Sequence, residues 1–331
     1  MSHEILTRPI GRSGIQASVV GLGTWAIGGW LWGGAEEKES VAAIQASIDA
    51  GISLIDTAPA YGHGLSETIV GKAIEGRREK VVLATKCGLV WHTAKGNHFF
   101  DYEGEPVHRY LGKESILEEV EQSLRRLKTD YIDLYITHWQ DPTTPIDETM
   151  EALEHLKAQG KIRSIGASNV SAVDLHAYVA SGELDAIQEE FSMVKRDVET
   201  SLLPICAEHG VSMLSYSSLA LGLLSGKIGP DRSFTGDDLR KDNPRFSIAN
   251  REKVARLMTA LAPIADTHQA TSAQIVIAWT VQQPGITFSL CGARNPEQAR
   301  ENARAGSIRL TPGELNLISE AARTHLTDLD G

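Results

Sequence analysis

The segment "SLIDTAPAYGHGLSETIVGKAI", residues 53–74, contains one complete strand, turn and helix. Its first part is an apolar run that ends on the carboxylate of Asp56, which predicts a buried parallel strand over 53–58. Its last part, 66–74, has helical periodicity. The turn between them holds Tyr61 among glycines, which are typical of tight turns. The segment therefore predicts a β/α unit that presents polar groups just beyond its strand.

The same unit recurs along the chain. Strands are predicted over 17–23, 53–58, 81–86, 132–138, 164–169, 186–191, 212–217 and 286–293. Helices are predicted over 38–50, 66–74, 115–130, 145–160, 172–180, 200–209, 251–268 and 296–305. Because the strands are mostly apolar, they suit a parallel sheet covered by helices, and eight such units predict an α/β fold, the closed (β/α)8 TIM barrel.

Several segments fall outside this repeat. Residues 8–18 predict an N-terminal β-hairpin before the first barrel strand, and 311–324 predict an extra C-terminal helix. The connections 88–112, after strand three, and 222–247, after strand seven, are long. Long loops in a compact domain are usually functional. We expect one barrel domain over residues 1–331.

Composition restricts the partners of this chain. Its net charge of −11 makes nucleic acid and anionic membranes poor partners. The three cysteines, Cys87, Cys206 and Cys291, are scattered and match neither a disulfide framework nor a metal site, so no metal is expected. The start of the chain lacks an apolar leader, and no apolar run reaches about 18 residues. We therefore expect a cytoplasmic protein, and its oligomeric state stays open.

Polar side chains follow the predicted strands at their carboxyl ends, where barrel enzymes carry their chemistry. Asp56, Lys86 and His138 end the consecutive strands two, three and four, so a barrel must place them side by side. Singly, each has an ordinary explanation, such as a turn cap, a solvated lysine or a core histidine. Their joint occurrence indicates a catalytic group. The other strand ends supply Thr24, Trp25, Ser168, Asn169, Gln188, Tyr216, Gly292 and Arg294.

Eight segments carry a resemblance to a known family. They are "GLGTWAIGGW", "LIDTAPAYGHGLSE", "VVLATKCG", "IDLYITHW", "KIRSIGASN", "AIQEEFS", "LSYSSLALGLLSGK" and "CGARNPEQARENA". Together they resemble the aldo-keto reductase superfamily over essentially the whole chain, and most of all its bacterial general-stress, sugar- and glycerol-type reductases. The resemblance implies a catalytic tetrad of Asp56, Tyr61, Lys86 and His138, NADPH or NADP+ as cofactor, and a small carbonyl substrate.

The chemistry of carbonyl reduction agrees with this tetrad. As hydride reaches the carbonyl carbon, negative charge grows on the oxygen, which then needs a proton. A free tyrosine, with a pKa of about 10, is a poor acid at neutral pH. A nearby ammonium lowers such a pKa, so we expect Lys86 to act on Tyr61 in this way while Asp56 holds Lys86 charged. His138 is expected to hydrogen-bond the substrate oxygen.

The resemblance also implies a cofactor site. Ser168, Asn169 and Gln188 are expected to bind the nicotinamide carboxamide, and Tyr216 to stack on its ring. Arg240 is expected over the adenine, with Arg232 and Arg245 as alternatives. Arg294, with no nearby acid suited to a free ribose hydroxyl, predicts NADPH rather than NADH. The expected cofactor residues are Thr24, Trp25, Asp56, Ser168, Asn169, Gln188, Tyr216, Ser217, Leu219, Gly222, Leu224, Gly226, Lys227, Arg240, Gly292, Arg294, Gln298 and Asn302.

Tryptophans collect in the segments that flank the tetrad. The expected substrate residues are Trp25, Trp30, Trp32, Tyr61, Trp91, His138 and Trp139. The favoured substrate is a small polyhydroxylated aldehyde or an aldose, because indole faces pack against sugar C–H faces. The side chains expected to bind its hydroxyls are His63, His92, His98 and Asp101. The alternative is an apolar pocket, typical of a broad aldehyde or methylglyoxal reductase.

Two other function classes remain open. In a barrel aldolase, Lys86 would form a Schiff base, although the adjacent Asp56 disfavours the desolvated neutral amine that this requires. The fold can also serve as a nicotinamide-binding regulatory subunit without catalysis. The complete tetrad disfavours that second alternative.

Overall fold

The computed structural model of the chain describes residues 4–29, 36–235, 238–327 and 329. The strands are β1 (Thr7–Pro9), β2 (Gln16–Ser18), β3 (Val20–Gly23), β4 (Leu54–Asp56), β5 (Val82–Cys87), β6 (Leu89–Val90), β7 (Asn97–Tyr102), β8 (Glu105–Arg109), β9 (Ile132–Thr137), β10 (Ile162–Ser168), β11 (Ala186–Glu190), β12 (Ser212–Tyr216) and β13 (Phe288–Gly292). The helices are α1 (Glu37–Asp49), α2 (Leu65–Ala73), α3 (Lys113–Leu127), α4 (Ile146–Ala158), α5 (Ala172–Ser181), α6 (Val198–Ser201), α7 (Leu203–His209), α8 (Ile248–Thr267), α9 (Ser272–Val281), α10 (Pro296–Ala305) and α11 (Pro312–His325).

Eight parallel strands close into a barrel in the order β3, β4, β5, β9, β10, β11, β12, β13, and β13 pairs again with β3. The predicted (β/α)8 barrel is therefore confirmed. Apolar side chains such as Leu54, Leu134 and Phe288 form one buried cluster in which strand residues from around the barrel meet. The larger clusters pack the strands against the surrounding helices. This arrangement brings the carboxyl ends of all eight strands to one rim.

The N-terminal hairpin is present as the antiparallel pair of β1 and β2. Ile10 and Ile15 from its turn belong to the same buried cluster as the inward strand residues, so the hairpin closes the amino-terminal end of the barrel. A Cβ on Gly11 would lie 2.3 Å from the carbonyl oxygen of Asp185, so this close approach requires glycine. The predicted first strand, 17–23, is divided between hairpin and barrel at Val19, because its N–H donates to the Leu6 carbonyl while its carbonyl accepts from Ser289 of β13.

The long connection after β5 has a structure that its sequence did not predict. It folds into a three-stranded antiparallel sheet in the order β6, β8, β7. Glu103 and Gly104 join β7 to β8, with φ values of 52° and 86°. Positive φ at both positions is the requirement of the tight type I′ hairpin turn. The connection between β12 and α8 contains short 3-10 turns at Leu223–Ser225 and Pro244–Phe246.

One helix was missed entirely. In α9, nine of the ten residues are buried, so the helix has no solvent-facing polar side and no amphipathic period appears in its sequence. A local signal was nevertheless present, because Thr271 and Gln274 form a capping box at its start. The predicted C-terminal helix is present as α11, which packs against α8. Among the described helices, none combines the length and apolarity that crossing a bilayer requires.

Candidate active site

Asp56, Tyr61 and Lys86 form one buried polar group at the rim. Asp56 is the last residue of β4, and Lys86 lies on the adjacent strand β5. The Lys86 ammonium donates to both carboxylate oxygens of Asp56 at 2.9 Å. It also donates to the Thr57 carbonyl at 2.9 Å and to the Tyr61 hydroxyl at 3.0 Å. Lys86 is fully buried, so water does not compete for these contacts.

The turn that carries Tyr61 packs against the backbone that follows β3. Gly62 has a φ of 69°, and a Cβ there would lie 2.5 Å from the carbonyl oxygen of Gly28. A Cβ on Gly28 would in turn lie 2.7 Å from the Tyr61 backbone. Glycine at both positions therefore permits the contact that directs the Tyr61 side chain towards Lys86.

The pKa of Tyr61 does not follow the sequence-based expectation. Burial raises the pKa of Tyr61, the Lys86 ammonium lowers it, and the Asp56 carboxylate raises it again, with a net increase above the ordinary value. Burial acts to lower the pKa of Lys86, but Asp56 and Tyr61 together outweigh it and hold that pKa above its usual value. Burial is thus the main cause of the raised pKa of Tyr61, Asp56 offsets part of the Lys86 charge, and Tyr61 keeps its proton at neutral pH.

His138 follows β9 and faces Tyr61 edge-on, with 5.7 Å between the two ring centroids. Burial, followed by the nearby Lys86 charge, lowers the pKa of His138 well below its usual range, so the imidazole is neutral. Its Nδ1 atom is buried and has no hydrogen-bond partner among the described residues. A buried polar atom of this kind is costly unless a ligand satisfies it.

Four further predicted residues form a polar wall beside the tetrad. The Asn169 amide donates to the His138 carbonyl at 2.9 Å and accepts from the Tyr216 hydroxyl at 2.7 Å. The Ser168 hydroxyl donates to the Gln188 carbonyl at 2.7 Å. Gln188 Nε2 donates to Asp56 Oδ1 at 2.8 Å, which ties this wall directly to the tetrad. The wall is therefore fixed by hydrogen bonds between its own members.

A cavity of about 740 Å³ opens beside these residues. Most of the predicted site residues line it: Trp25, Asp56, Tyr61, His138, Trp139, Ser168, Asn169, Gln188, Tyr216, Ser217, Leu219, Gly222, Lys227, Arg240, Gly292, Arg294, Gln298 and Asn302. Its amides, aromatic rings and cations are the groups that a nicotinamide dinucleotide needs, so the residues present fit that cofactor.

The structure does not bring every predicted residue to the cavity wall. Thr24 is buried, and its hydroxyl donates to the Asp56 carbonyl at 2.9 Å. Trp91 stacks on His63 with 4.2 Å between ring centroids and is not among the described lining residues. Leu224 and Gly226 are also absent from the described lining. Trp30 and Trp32 lie outside the described residues.

An apolar part of the wall was not predicted. Phe99 and Phe100, from β7, line the cavity with Leu89 and Ala60. Phe99 packs against Trp139 with 5.1 Å between ring centroids. The Glu–Gly turn between two strand-like runs was the sequence signal for the sheet that carries these phenylalanines.

Two acids pair with the cations at another part of the cavity. Lys227 pairs with Glu301 at 2.6 Å. Arg240 pairs with Asp238 at 2.6 Å. Of the two alternatives to Arg240, Arg232 also lines the cavity. The other alternative, Arg245, pairs with Glu190 at 2.9 Å and is not among the described lining residues.

Two curated relatives are similar over most of their length. The "Aldo-keto reductase YhdN" of Bacillus subtilis (strain 168) is 45% identical over 292 residues, which cover 87% of this chain and 85% of the relative. The "NADH-specific methylglyoxal reductase" of Escherichia coli (strain K12) is 42% identical over 320 residues, which cover 95% of this chain and 97% of the relative.

A solved structure is also similar to this chain over nearly its whole length. The glycerol dehydrogenase AKR11B4 from Gluconobacter oxydans superposes with a TM-score of 0.86 at 36% identity, covering 99% of this chain and 98% of that one. Residues 19–323 match the Aldo/keto reductase family. This chain therefore belongs to the aldo/keto reductase family, whose members reduce carbonyl compounds with a nicotinamide cofactor.

Proposed function

We propose that this chain reduces a small aldehyde to an alcohol with a reduced nicotinamide cofactor and with Tyr61 as the general acid. The observation that carries this proposal is that the Lys86 ammonium donates hydrogen bonds both to Asp56 and to the Tyr61 hydroxyl beside the cavity. The test is turnover of 4-nitrobenzaldehyde by the purified chain with NADPH. Absence of turnover, together with borohydride trapping of a carbonyl substrate on Lys86, would instead support the aldolase alternative.

Each tetrad residue has a distinct task in this proposal. When bound, the cofactor supplies hydride to the carbonyl carbon. The Tyr61 hydroxyl donates its proton to the carbonyl oxygen as negative charge develops there. Lys86, 3.0 Å from that hydroxyl, stabilises the phenolate that remains, and Asp56 holds the ammonium in place. The neutral His138 imidazole retains one N–H, which can donate to the same substrate oxygen.

The polar wall suits the nicotinamide carboxamide. Ser168, Asn169 and Gln188 present amide and hydroxyl groups to the cavity, and their mutual hydrogen bonds fix their directions before a ligand arrives. The Tyr216 hydroxyl is held by Asn169, which orients its ring at the same wall. A fixed aromatic ring would select the face of the nicotinamide that is turned towards the substrate.

NADPH is proposed as the preferred cofactor. Arg294 lines the cavity directly before α10, and a helix N-terminus combined with an arginine suits a phosphate group. Two aldo-keto reductase structures from Klebsiella pneumoniae, 30% and 29% identical, contain NADP and NADPH. The relative from Escherichia coli is named as NADH-specific, so the preference requires a direct measurement.

Arg294→Ala is expected to weaken NADPH binding by about 1.5–3 kcal/mol, the usual contribution of a hydrogen bond to a charged group. NADH binding should change little, because NADH has a hydroxyl where NADPH has the 2′-phosphate. The dissociation constants of both cofactors can be measured by fluorescence titration. Arg300→Ala is the matched control, because Arg300 is an exposed arginine on α10, the helix that follows Arg294. Equal weakening for both cofactors would show that Arg294 does not meet the 2′-phosphate.

The cavity favours aldehydes that carry an apolar group. Phe99, Phe100 and Trp139 provide the surface next to His138. The side chains expected to bind sugar hydroxyls have other contacts. His63 stacks on Trp91, His92 lies 3.8 Å from Glu118, and His98 lies 3.0 Å from Asp101. These contacts favour the broad aldehyde or methylglyoxal alternative over the sugar hypothesis.

Benzaldehyde and methylglyoxal are accordingly expected to give kcat/KM values at least about tenfold above those of glyceraldehyde and aldoses, a difference of ~1.4 kcal/mol in transition-state binding. Phe99→Ala should reduce this advantage, because it removes apolar surface next to Trp139. Leu317→Ala, an exposed apolar residue on α11, is the control. If glyceraldehyde gives the highest kcat/KM, the apolar assignment is wrong.

A polyol or sugar aldehyde remains the second candidate substrate. Trp25 and Trp139 both line the cavity, and indole faces can pack against the C–H groups of a polyol. The similarity to a glycerol dehydrogenase, at 36% identity, also favours this candidate. The same substrate panel separates the two possibilities.

A further inference from the structure

Two acid–cation pairs lie where arginines and a lysine line the cavity. In the pair of Lys227 and Glu301, the lysine side chain is 61% exposed to solvent. The pair of Arg240 and Asp238 is different, since its side chains are only 12% and 14% exposed. Because water screens a buried pair weakly, the second pair has the larger influence on a charged ligand.

Asp238 holds the Arg240 guanidinium with both carboxylate oxygens. Arg240 Nε donates to Oδ1 at 2.9 Å, and Arg240 Nη2 donates to Oδ2 at 2.6 Å. The Arg240 backbone N–H donates to Oδ1 at 3.0 Å, and the guanidinium packs over the Phe234 ring at 4.6 Å. This two-pronged geometry is also the one in which arginine binds a phosphate. A carboxylate and a phosphate would therefore use the same donors.

Asp238 also acts on Arg294. Its hydrogen bond to Arg240 lowers the pKa of Asp238, burial opposes this, and the Arg294 charge lowers the pKa further. Asp238 is therefore ionised at neutral pH and lies within electrostatic reach of Arg294. One carboxylate thus offsets part of the positive charge of two arginines that line the cavity.

We propose that Asp238 is a specificity-determining residue that selectively weakens binding of the 2′-phosphate of NADPH. It does so by accepting the hydrogen bonds of the Arg240 guanidinium and by placing a negative charge near Arg294. This inference rests on the proposed function, because it requires a nicotinamide dinucleotide in the cavity with its 2′-position near these arginines.

The selectivity follows from the difference between the two cofactors. For Arg240 to join Arg294 at the phosphate, it must either leave Asp238 or bring the two anions together. The first choice breaks a little-exposed ion pair, and the second adds repulsion between like charges. NADH carries a neutral hydroxyl at the same position and incurs neither cost. Asp238 therefore narrows the difference in affinity that Arg294 creates between NADPH and NADH.

Asp238→Asn tests this directly, because it removes the charge and keeps the shape of the side chain. Dissociation constants for NADPH and NADH are measured by fluorescence titration of the full chain, without substrate. We expect the variant to bind NADPH about tenfold more tightly and NADH within about twofold of the original value, a change of ~1.4 kcal/mol for NADPH alone. Raising the salt concentration should shrink the gain for NADPH, since screening weakens the repulsion that is removed.

Asp242→Asn is the matched control, because Asp242 is an exposed acid in the same connection. An equal gain from both variants would mean that net charge alone acts, and would overturn the inference. Unchanged NADPH affinity would overturn it as well, as would weaker NADH binding, which would identify Asp238 as a ribose ligand. If those results accompany normal aldehyde turnover, the proposed function stands. Failure of the original chain to bind either dinucleotide would overturn both.

Discussion

Tyr61→Phe is expected to lower kcat for aldehyde reduction by about 10²–10⁴-fold, the range for loss of a positioned general acid. The substitution keeps the aromatic ring and removes the hydroxyl, which lies 3.0 Å from Lys86 Nζ. Tyr61 carries its proton at neutral pH, and the adjacent Lys86 ammonium stabilises the phenolate that remains when this proton is transferred. The neutral His138, with its strongly lowered pKa, cannot replace it as a proton source.

The measurement separates chemistry from binding. Steady-state kinetics give kcat, and titration gives the dissociation constant of NADPH, which should stay within about twofold because Tyr61 is assigned to the substrate oxygen. Tyr131→Phe is the control and should leave kcat unchanged, because Tyr131 precedes the amino end of β9, at the end of the barrel opposite the rim. A Tyr61→Phe variant with near-original kcat would remove Tyr61 from the role of acid.

The parts of this site that sequence could predict share one physical property. Asp56, Lys86 and His138 follow consecutive strands, and barrel closure alone places consecutive strand ends together. Their adjacency therefore needed only the strand pattern and the fold class. Glycines around Tyr61 likewise indicated a turn, because the residues that permit positive φ are few.

The features that were not predicted either depend on contacts between distant segments or lack the amphipathic periodicity by which a helix is recognised. Helix α9 is buried on every side, so its sequence has no polar stripe to reveal it. Phe99 and Phe100 line the cavity because they belong to a separate antiparallel sheet in the connection after β5. The apolar character of these two residues did not show where that connection lies relative to the barrel. The role of Asp238 was not predicted, because the sequence shows only an acid two residues from an arginine. That the two side chains form a little-exposed ion pair is visible only in the structure.

Lys86→Met is expected to reduce the free energy of unfolding by about 3–5 kcal/mol, the usual cost of removing one partner from a buried ion pair. Methionine fills most of the lysine volume, so packing loss contributes little. The cost arises because Asp56 would remain almost completely buried with its charge, and Gln188 Nε2 would be its remaining side-chain donor among the contacts described above. Catalysis should be lost as well, since Tyr61 would lose the ammonium that stabilises its phenolate.

Urea denaturation of the single and double variants isolates this cause. If the uncompensated charge dominates, Asp56→Asn combined with Lys86→Met should recover at least about 1–2 kcal/mol of the loss, because both charges are then absent. Lys113→Met is the control: Lys113 pairs with Glu151 at 2.6 Å on the surface, where an ion pair contributes about 0–1 kcal/mol. If the double variant is no more stable than Lys86→Met alone, charge burial is not the cause. The loss would then be assigned to the lysine's hydrogen bonds to the Thr57 carbonyl and the Tyr61 hydroxyl, which neither variant restores.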